Sequence, residues 1–437
     1  MINKTLDQWL EFISKTHPSE IEMGLDRIRQ VYNALKIDPK NSNIVLVAGT
    51  NGKGSTIAML EGCLLAMGYN VGAYTSPHIL EYNERVRVNG ENATSSALVN
   101  AFEAVENVRH NIPLTYFEYG TLAAFDILFS EELDVVLLEI GLGGRLDAVN
   151  IVEPDISIIT SVDIDHSEWL GNTRESIGKE KAGILRKNTL FIGGEDLPQT
   201  IHEYAKSLAC KSLICRDDFD VGILDGCKTL KLTAAPHTTF FPGFPSIKLP
   251  ENNILLSLQT LVCLCATLSK KHEFDQNTYE FMINTINSMK LPGRLERVEH
   301  KDFTDVFIDV GHNPHAANYL RSFLAENALL DKKIQVVYSS LIDKDAKAVM
   351  QLLSPVVDRC VLTFLDTDRA MPLEMLQGMA AKSGIKNVIS CSSVREALTD
   401  ALDFSKESKK QNQTVLTLIF GSFYMVEAAK RFFETYD

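Results

Sequence analysis

The stretch after Asn43 constrains this chain most: IVLVA, then GTNGKGST, then IAMLEGCLLAM. The first is an apolar run suited to a strand buried on both faces, and the last carries apolar residues at helical spacing. Residues 49–56 between them make a strand–loop–helix unit. Glycines in such a loop let several backbone N–H groups approach phosphate oxygens, while the helix that follows presents its positive dipole end to them. Lys53 adds a mobile positive charge. The hydroxyl of Ser55, or alternatively Thr56, is placed to reach a phosphate-bound Mg²⁺. The pattern departs from GxxxxGK followed directly by Ser or Thr, because Gly54 separates Lys53 from Ser55. A glycine turn with no ligand is the competing reading.

The rest of the chain extends this unit. Strand-like runs follow at 71–74, 135–140 and 156–162, with helix-suited stretches such as YGTLAAFDILFSEEL between them. After Leu291 a second alternation places strands at 306–309, 334–338, 360–364, 388–391 and 415–420, with SVREALTDALDF and SFYMVEAAKRFF as helices. At 437 residues the chain exceeds what one core usually holds. The pattern predicts a two-domain α/β fold: a P-loop NTPase-like parallel-sheet domain over 1–290, then a smaller Rossmann-like doubly wound domain over 291–437. Residues 217–250, with Pro236, Pro242, Pro245 and Pro250, read as a β-rich or loop-rich excursion within the first domain.

Composition narrows the function. The formal charge of −14 argues against a nucleic-acid surface, which would carry a basic face. Cysteines 63, 210, 215, 227, 263, 265, 360 and 391 show no CxxC spacing and read as reduced, buried thiols rather than zinc ligands. MINKTLDQWLEF lacks the character of a secretory signal, and no apolar run reaches membrane-spanning length. The expected compartment is the cytoplasm, where ATP and Mg²⁺ are plentiful and disulfides are rare.

Several residues stand where chemistry could sit. Glu139 ends DVVLLEI, at the C-terminal edge of a buried strand, where open α/β sheets bind ligands; a hard oxygen there suits Mg²⁺, and a cap or salt bridge suits it equally. Gly141, Gly143 and Gly144 would let backbone approach a ligand. His166, in DIDHSEWLG, is open to an ordinary hydrogen-bonding role. Lys181, in GKEKAGI, reads by itself as a solvated helix lysine. Arg85 and Arg87 share one strand face, as a solvated edge would, Phe117 reads as core, and Arg294 as a surface ion-pair partner. His312 and Asn313 before Pro314 read as a turn opening a helix.

These motifs converge on a family. GTNGKGST (49–56), TSPH with NERVRVNG (75–90), TYFE (115–118), LEIGLGGRLDAVN (138–150), DHSEWLG (165–171), ESIGKEKAGI (175–184), LPGR (291–294), DVGHNPHA (309–316) and GSF (421–423) stand in order over nearly the whole chain. The chain thereby resembles the bifunctional dihydrofolate synthase/folylpolyglutamate synthase family, a branch of the Mur ligase superfamily. The resemblance implies an ATP-dependent ligase that adds L-glutamate to 7,8-dihydropteroate and to folates through an acyl phosphate, working as a monomer with no nucleic-acid or membrane partner. It places Thr50, Asn51, Gly52, Lys53, Gly54, Ser55, Asn253, Arg294 and Asp309 on ATP, with His312 beside the nucleotide. It puts two Mg²⁺ on Ser55, Ser76, Glu139, His166 and a carbamylated Lys181. It assigns Thr115, Tyr116, Phe117, Glu118, Leu146, Asp147 and Ala148 to the pterin, and catalytic roles to Lys53, Glu139, His166, Lys181 and His312. Gly311 stands where the family commonly has Ala, and Val149 where relatives often have Thr. A folylpolyglutamate synthase alone, a cell-wall ligase of the same superfamily and a nucleotide-binding regulator are the alternatives.

Overall fold

The computed structural model describes residues 4–19, 21–234, 237–245, 249–268, 274–300 and 305–436. It divides into two compact units, Met1–Met289 and Lys290–Asp437.

The first unit is built on an eight-stranded sheet. Its strands are β1 (Asn43–Ala48), β2 (Val71–Tyr74), β3 (Val86–Val88), β4 (Glu91–Asn92), β5 (Val135–Glu139), β6 (Ile156–Ile159), β7 (Leu190–Gly193) and β8 (Lys211–Ile214), in the order β4-β3-β2-β5-β1-β6-β7-β8. β1 lies between β5 and β6 and runs parallel to both, with Val47 opposite Glu139 and Ala48 opposite Ile159. All five residues of β5 are buried, as strands covered by helices on both faces must be. Because β1, β2, β5 and β6 are parallel, their C-terminal ends deliver residues 49–52, 75–76, 140–147 and 160–166 to one edge of the sheet. The sheet is not wholly parallel. A one-turn 3-10 helix, Tyr82–Arg85, turns the chain back, so β3 pairs antiparallel with β2 and β4 with β3.

The proline-bearing stretch contributes a second, antiparallel sheet in the order β11-β10-β9, from β9 (Asp220–Leu224), β10 (Cys227–Ala234) and β11 (His237–Pro242). Pro242 closes β11, whereas Pro236 lies outside the described residues. The inner face buries Leu230, Leu232 and Phe241, and the Phe241 ring meets that of Tyr279 at 5.0 Å between centroids.

The second unit is a six-stranded sheet in the order β12-β13-β17-β14-β15-β16, formed by β12 (Glu296–Arg297), β13 (Val306–Asp309), β14 (Lys333–Tyr338), β15 (Arg359–Thr363), β16 (Val388–Cys391) and β17 (Val415–Phe420). β12 alone runs antiparallel, and Ile334, Val336, Leu416, Leu418 and Phe420 pack its core. All eight cysteines are free thiols, but they are not uniformly buried: Cys227 is exposed on the small sheet, and Cys210 and Cys263 are half-buried. Among the described residues no helix is long and apolar enough to cross a membrane.

Candidate active site

The glycine loop leaves β1 and enters the helix Lys53–Ala66 at Gly52, whose φ of 86° lies in the left-handed region. A Cβ on Gly52 would overlap the Asn253 amide, so glycine is what brings Asn253, on the helix Glu251–Thr267, against the loop. β6 braces the loop from below. Thr160 Oγ1 donates to Asn51 O at 2.6 Å, Ser161 Oγ accepts from Asn51 N at 3.0 Å, and Thr50 N donates to Ser161 O at 2.8 Å. Thr50 Oγ1 accepts from Asp163 N at 3.0 Å. Sequence reasoning missed Thr160 and Ser161; the signal was two adjacent hydroxyls at the end of the strand beside β1. Lys53 Nζ donates to Gly49 O at 3.0 Å, curled over its own loop. Thr56 is fully enclosed, whereas Ser55 keeps a slight exposure, so Ser55 is the better placed hydroxyl.

Glu139 stands where the strand pattern put it, buried at the end of β5. Its Oε2 accepts from Ser76 N at 3.1 Å, and a Cβ on Gly54 would lie 3.6 Å from the same oxygen. One carboxylate thus meets both the start of the phosphate loop's helix and the Ser76 turn. The carboxylate gathered here is a hard oxygen donor that suits a cation such as Mg²⁺. His166 is different: it precedes the short helix Ser167–Leu170 with φ 51°, its side chain is 38% exposed, and its Nε2 lies 4.0 Å from Asp165 Oδ1.

Lys181 corrects the reading from composition. It is 4% exposed, on the buried face of the helix Arg174–Ala182. Burial, and then the nearby charge of Lys53, push its amine down to about 7, against the pull of Asp165 and Asp147. The glycines after Glu139 explain the burial. A Cβ on Gly144 would lie 2.9 Å from Glu180 O and 3.0 Å from Lys181 O, and Arg145 N donates to Glu180 O at 2.8 Å, so the loop seats directly on the end of that helix. A Cβ on Gly141 would lie 2.5 Å from the Phe117 ring, and one on Gly143 2.8 Å from Leu170. These glycines therefore serve close packing within the protein.

The proposed pterin side is organised by the same loop. Asp147 is buried, its Oδ2 accepting from Leu142 N at 2.8 Å and its Oδ1 from Val149 N at 2.9 Å. Burial raises it to about 7, against those hydrogen bonds and Lys53. Ala148 opens the 3-10 turn that Asp147 caps, and Leu146 beside it is half-buried. TYFE is a capping box: Thr115 Oγ1 accepts from Glu118 N at 3.2 Å, and Glu118 Oε2 accepts from Thr115 N at 2.8 Å, opening the helix Tyr116–Ser130. The sequence carried that signal in Thr-x-x-Glu. Phe117 is half-buried rather than core, stacked on Tyr74 at 6.3 Å and set against Gly141. Arg27, which no motif marked, donates to Glu118 Oε1 at 3.1 Å.

The second unit holds its own cluster. Asp309 ends β13, buried, with Oδ2 accepting from Leu295 N at 2.8 Å and Oδ1 from Gly311 N at 2.7 Å. Burial raises its carboxyl, and Arg294 first among its neighbours opposes the rise. Arg294 is half-buried, its guanidinium 6.0 Å from the Phe423 ring centroid, so it stands less open to solvent than a surface residue. His312 Nδ1 lies 2.8 Å from Val310 O, and Asn313 caps the helix Pro314–Ala328, as the His-Asn-Pro order predicted.

Residues 47–213 match the Mur ligase middle domain and residues 293–423 the glutamate ligase domain of Mur ligases. The chain is 36% identical over 434 residues to the dihydrofolate synthase/folylpolyglutamate synthase of Escherichia coli, covering 96% of this chain and 94% of that one. A solved E. coli structure of FolC in complex with DHPP and ADP superposes with a TM-score of 0.87 at 35% identity, covering 99% and 98% of the two chains. A bifunctional folylpolyglutamate synthase/dihydrofolate synthase with Mn, AMPPNP and L-glutamate bound gives 0.82 at 34% identity, covering 98% of each. The two-domain architecture, the ordered motifs and these full-length likenesses have one reading: the chain belongs to the dihydrofolate synthase/folylpolyglutamate synthase family of Mur ligases.

Proposed function

We propose that this chain is an ATP-dependent acid–amino-acid ligase that adds L-glutamate to 7,8-dihydropteroate and to the γ-carboxylate of folates. The observation that carries the reading is the convergence of Glu139 on both the Gly54 turn of the phosphate loop and the Ser76 backbone. A carboxylate and an amine do not condense unassisted in water, so the acid must first be activated. A substrate carboxylate oxygen attacks the γ-phosphorus of ATP, the bond to the β-phosphate oxygen breaks, and ADP leaves. The glutamate amine then attacks the acyl carbon, phosphate departs with the bonding electrons, and the amine gives up a proton.

The loop amides of Thr50 to Ser55 and the Lys53 ammonium hold the triphosphate and offset its repulsion of the incoming carboxylate. Asn253 contacts the nucleotide beside Gly52. Ser55, Ser76 and Glu139 would hold one divalent cation, and Glu139, His166 and Lys181 a second; such ions would supply further neutralisation of phosphate charge. Lys181 joins the set as a carbamate. An amine pushed down to about 7 is substantially uncharged near neutrality, which is the form that adds CO₂, and the resulting anion converts its repulsion by Lys53 into attraction. Phe117, Glu118 and Asp147 hold the flat pterin, its N–H donors facing carboxylates. The reaction belongs in the cytoplasm, in a monomer.

A substrate panel resolved by product mass tests the function. Dihydropteroate gaining one glutamate, and folates gaining one or more, each dependent on ATP, is the expected result. Extension of folates alone would restrict the chain to folylpolyglutamate synthesis, and ATP hydrolysis indifferent to both substrates would make it a nucleotide-driven regulator.

A further inference from the structure

Arg85 and Arg87 stand two residues apart, yet their charges are met in opposite ways. Arg87 is saturated: Nε lies 3.1 and 3.0 Å from the two oxygens of Glu61, Nη2 lies 2.7 Å from Oε2, and Nη1 donates to Thr75 Oγ1 at 3.0 Å and Glu84 O at 2.8 Å. Arg85 is 9% exposed and has no carboxylate within ion-pair reach among the described residues. Its Nε donates to His78 Nδ1 at 2.9 Å, and its guanidinium lies 5.0 Å from the Tyr82 ring centroid and 5.7 Å from that of Tyr116.

Among the described residues no anion neutralises it. Glu84, the adjacent acid, is taken up by the backbone N–H groups of Ile79, Leu80 and Glu81, each at 2.8 Å. His78 meets Arg85 only as a neutral acceptor, through the Nδ1 lone pair that takes the Nε–H, and brings no negative charge. Two aromatic faces offset only part of the cost of removing a guanidinium from water. A buried fork of N–H donors facing no anion is suited to receive a carboxylate in two parallel hydrogen bonds. Its position narrows the source. Arg85 ends the segment that begins at Ser76, and its second ring, Tyr116, adjoins Phe117 and Glu118.

We propose that Arg85 binds a substrate carboxylate, that of the pterin acid or that of the incoming amino acid. This rests on the ligase reading, whose substrates all bring carboxylates. The asymmetry also gives the two arginines separate roles: Arg87, on β3, is tied to the phosphate loop's helix through Glu61, and Arg85, which ends the 3-10 helix before that strand, is left for the ligand.

The test compares the parent chain with Arg85→Gln. Affinity is measured by calorimetry for 7,8-dihydropteroate, for the same pteroyl compound with its carboxylate replaced by a carboxamide, and for ATP; KM is measured for L-glutamate. The variant should lose about tenfold or more for one carboxylate substrate, with carboxamide and ATP affinities within about twofold of the parent. Weakened dihydropteroate binding identifies the pterin acid as the source, and a raised glutamate KM identifies the amino acid. Unchanged values for both overturn the site while leaving the ligase reading standing. A parent chain that binds neither substrate overturns both. ATP affinity reports an intact fold; should Arg85→Gln lose it, Arg85→Met replaces it under the same criteria.

Discussion

Arg27 donates through Nη2 to Oε1 of Glu118 at 3.1 Å, joining the N-terminal helix Asp26–Leu35 to the start of the helix Tyr116–Ser130. Glu118 is 3% exposed, and Thr115 N already occupies its other oxygen, so its orientation is fixed from two sides. Arg27 also pairs with Glu22, which in turn meets His17 at 2.9 Å. Arg27→Gln should leave the Glu118 charge uncompensated, lowering stability by about 2 kcal/mol, at the modest end for a largely buried pair because Arg27 keeps some solvent contact. Denaturant melts read that loss. The KM for the pterin substrate should rise about tenfold with that for ATP unchanged. An equal rise in both would show that Arg27 merely supports the fold.

Lys181→Ala should remove most ligase activity, on the order of 100-fold in kcat, while the protein still folds cooperatively. Stripping CO₂ from the parent should cause a similar loss, restored by bicarbonate, and ¹³C-labelled bicarbonate should give a carbamate carbonyl resonance missing from the variant. Near-native turnover in Lys181→Ala would remove the carbamate from the mechanism.

The same lysine gives a pH dependence with a definite sign. Its amine is pushed down to about 7 in the folded chain, against a reference value of 10.5. Between those values the unfolded chain holds a proton that the folded chain has released, so unfolding takes up a proton and stability rises with pH. Below about 7 both states are protonated and the cost of the buried ammonium is felt in full. In bicarbonate-free buffer the parent should therefore gain stability from pH 7 upward relative to Lys181→Met, as read by denaturant midpoints. Parallel pH profiles would count against a buried amine.

Gly49→Ala should destabilise the chain by about 1–3 kcal/mol and abolish ATP binding, because its φ is 154° and the new methyl would overlap Thr160 Oγ1. Thr160→Ala alone should weaken ATP binding by loosening Asn51. Combining the two substitutions should recover part of the stability lost by Gly49→Ala, since the overlapping hydroxyl is gone. Strict additivity in that double-mutant cycle would refute the steric account.

Gly311→Ala, which introduces the residue common in the family, should cost about 1 kcal/mol in this chain. The new methyl would lie 2.8 Å from Asp309 Oδ1 and 3.1 Å from Ala316 Cβ, and Asp309 is pinned by Leu295 and Gly311 N–H groups and cannot swing aside. A gain in stability, as for an unhindered Gly→Ala exchange, would show that the segment relaxes.

Where one residue's local chemistry decided the structure, the sequence was readable. The apolar run of β1, the glycines that follow it, and Asn313-Pro314 at a helix start all obey short-range rules. The strands at 71–74, 306–309, 388–391 and 415–420 emerged with their predicted ends. β7 and β8 did not stand out; β8, Lys211–Ile214, is exposed at its first two residues and so carries no continuous apolar run. Lys181 defeated composition because its burial depends on Gly144, 37 residues earlier in the chain, and spacing carries no trace of that contact. The family motifs located it; the packing explains it. Arg27 was illegible for the same reason, and Thr160 and Ser161 left only their adjacent hydroxyls as a trace of the distant segment on which they act.

β1, β5 and β6 are adjacent, and each ends in one part of the phosphate chemistry: the glycine loop, Glu139, and the hydroxyls of Thr160 and Ser161. A one-residue slip between neighbouring parallel strands would carry every side chain to the opposite packed face, so the spacing of these three parts is inherited from the sheet. The residues proposed to hold the pterin stand on a helix start and on the loop over 141–148, which continues directly from Glu139 at the same sheet edge. A change in that loop that widens the range of acids accepted therefore pulls on the strand end that carries Glu139, and the two properties are tied together in the chain.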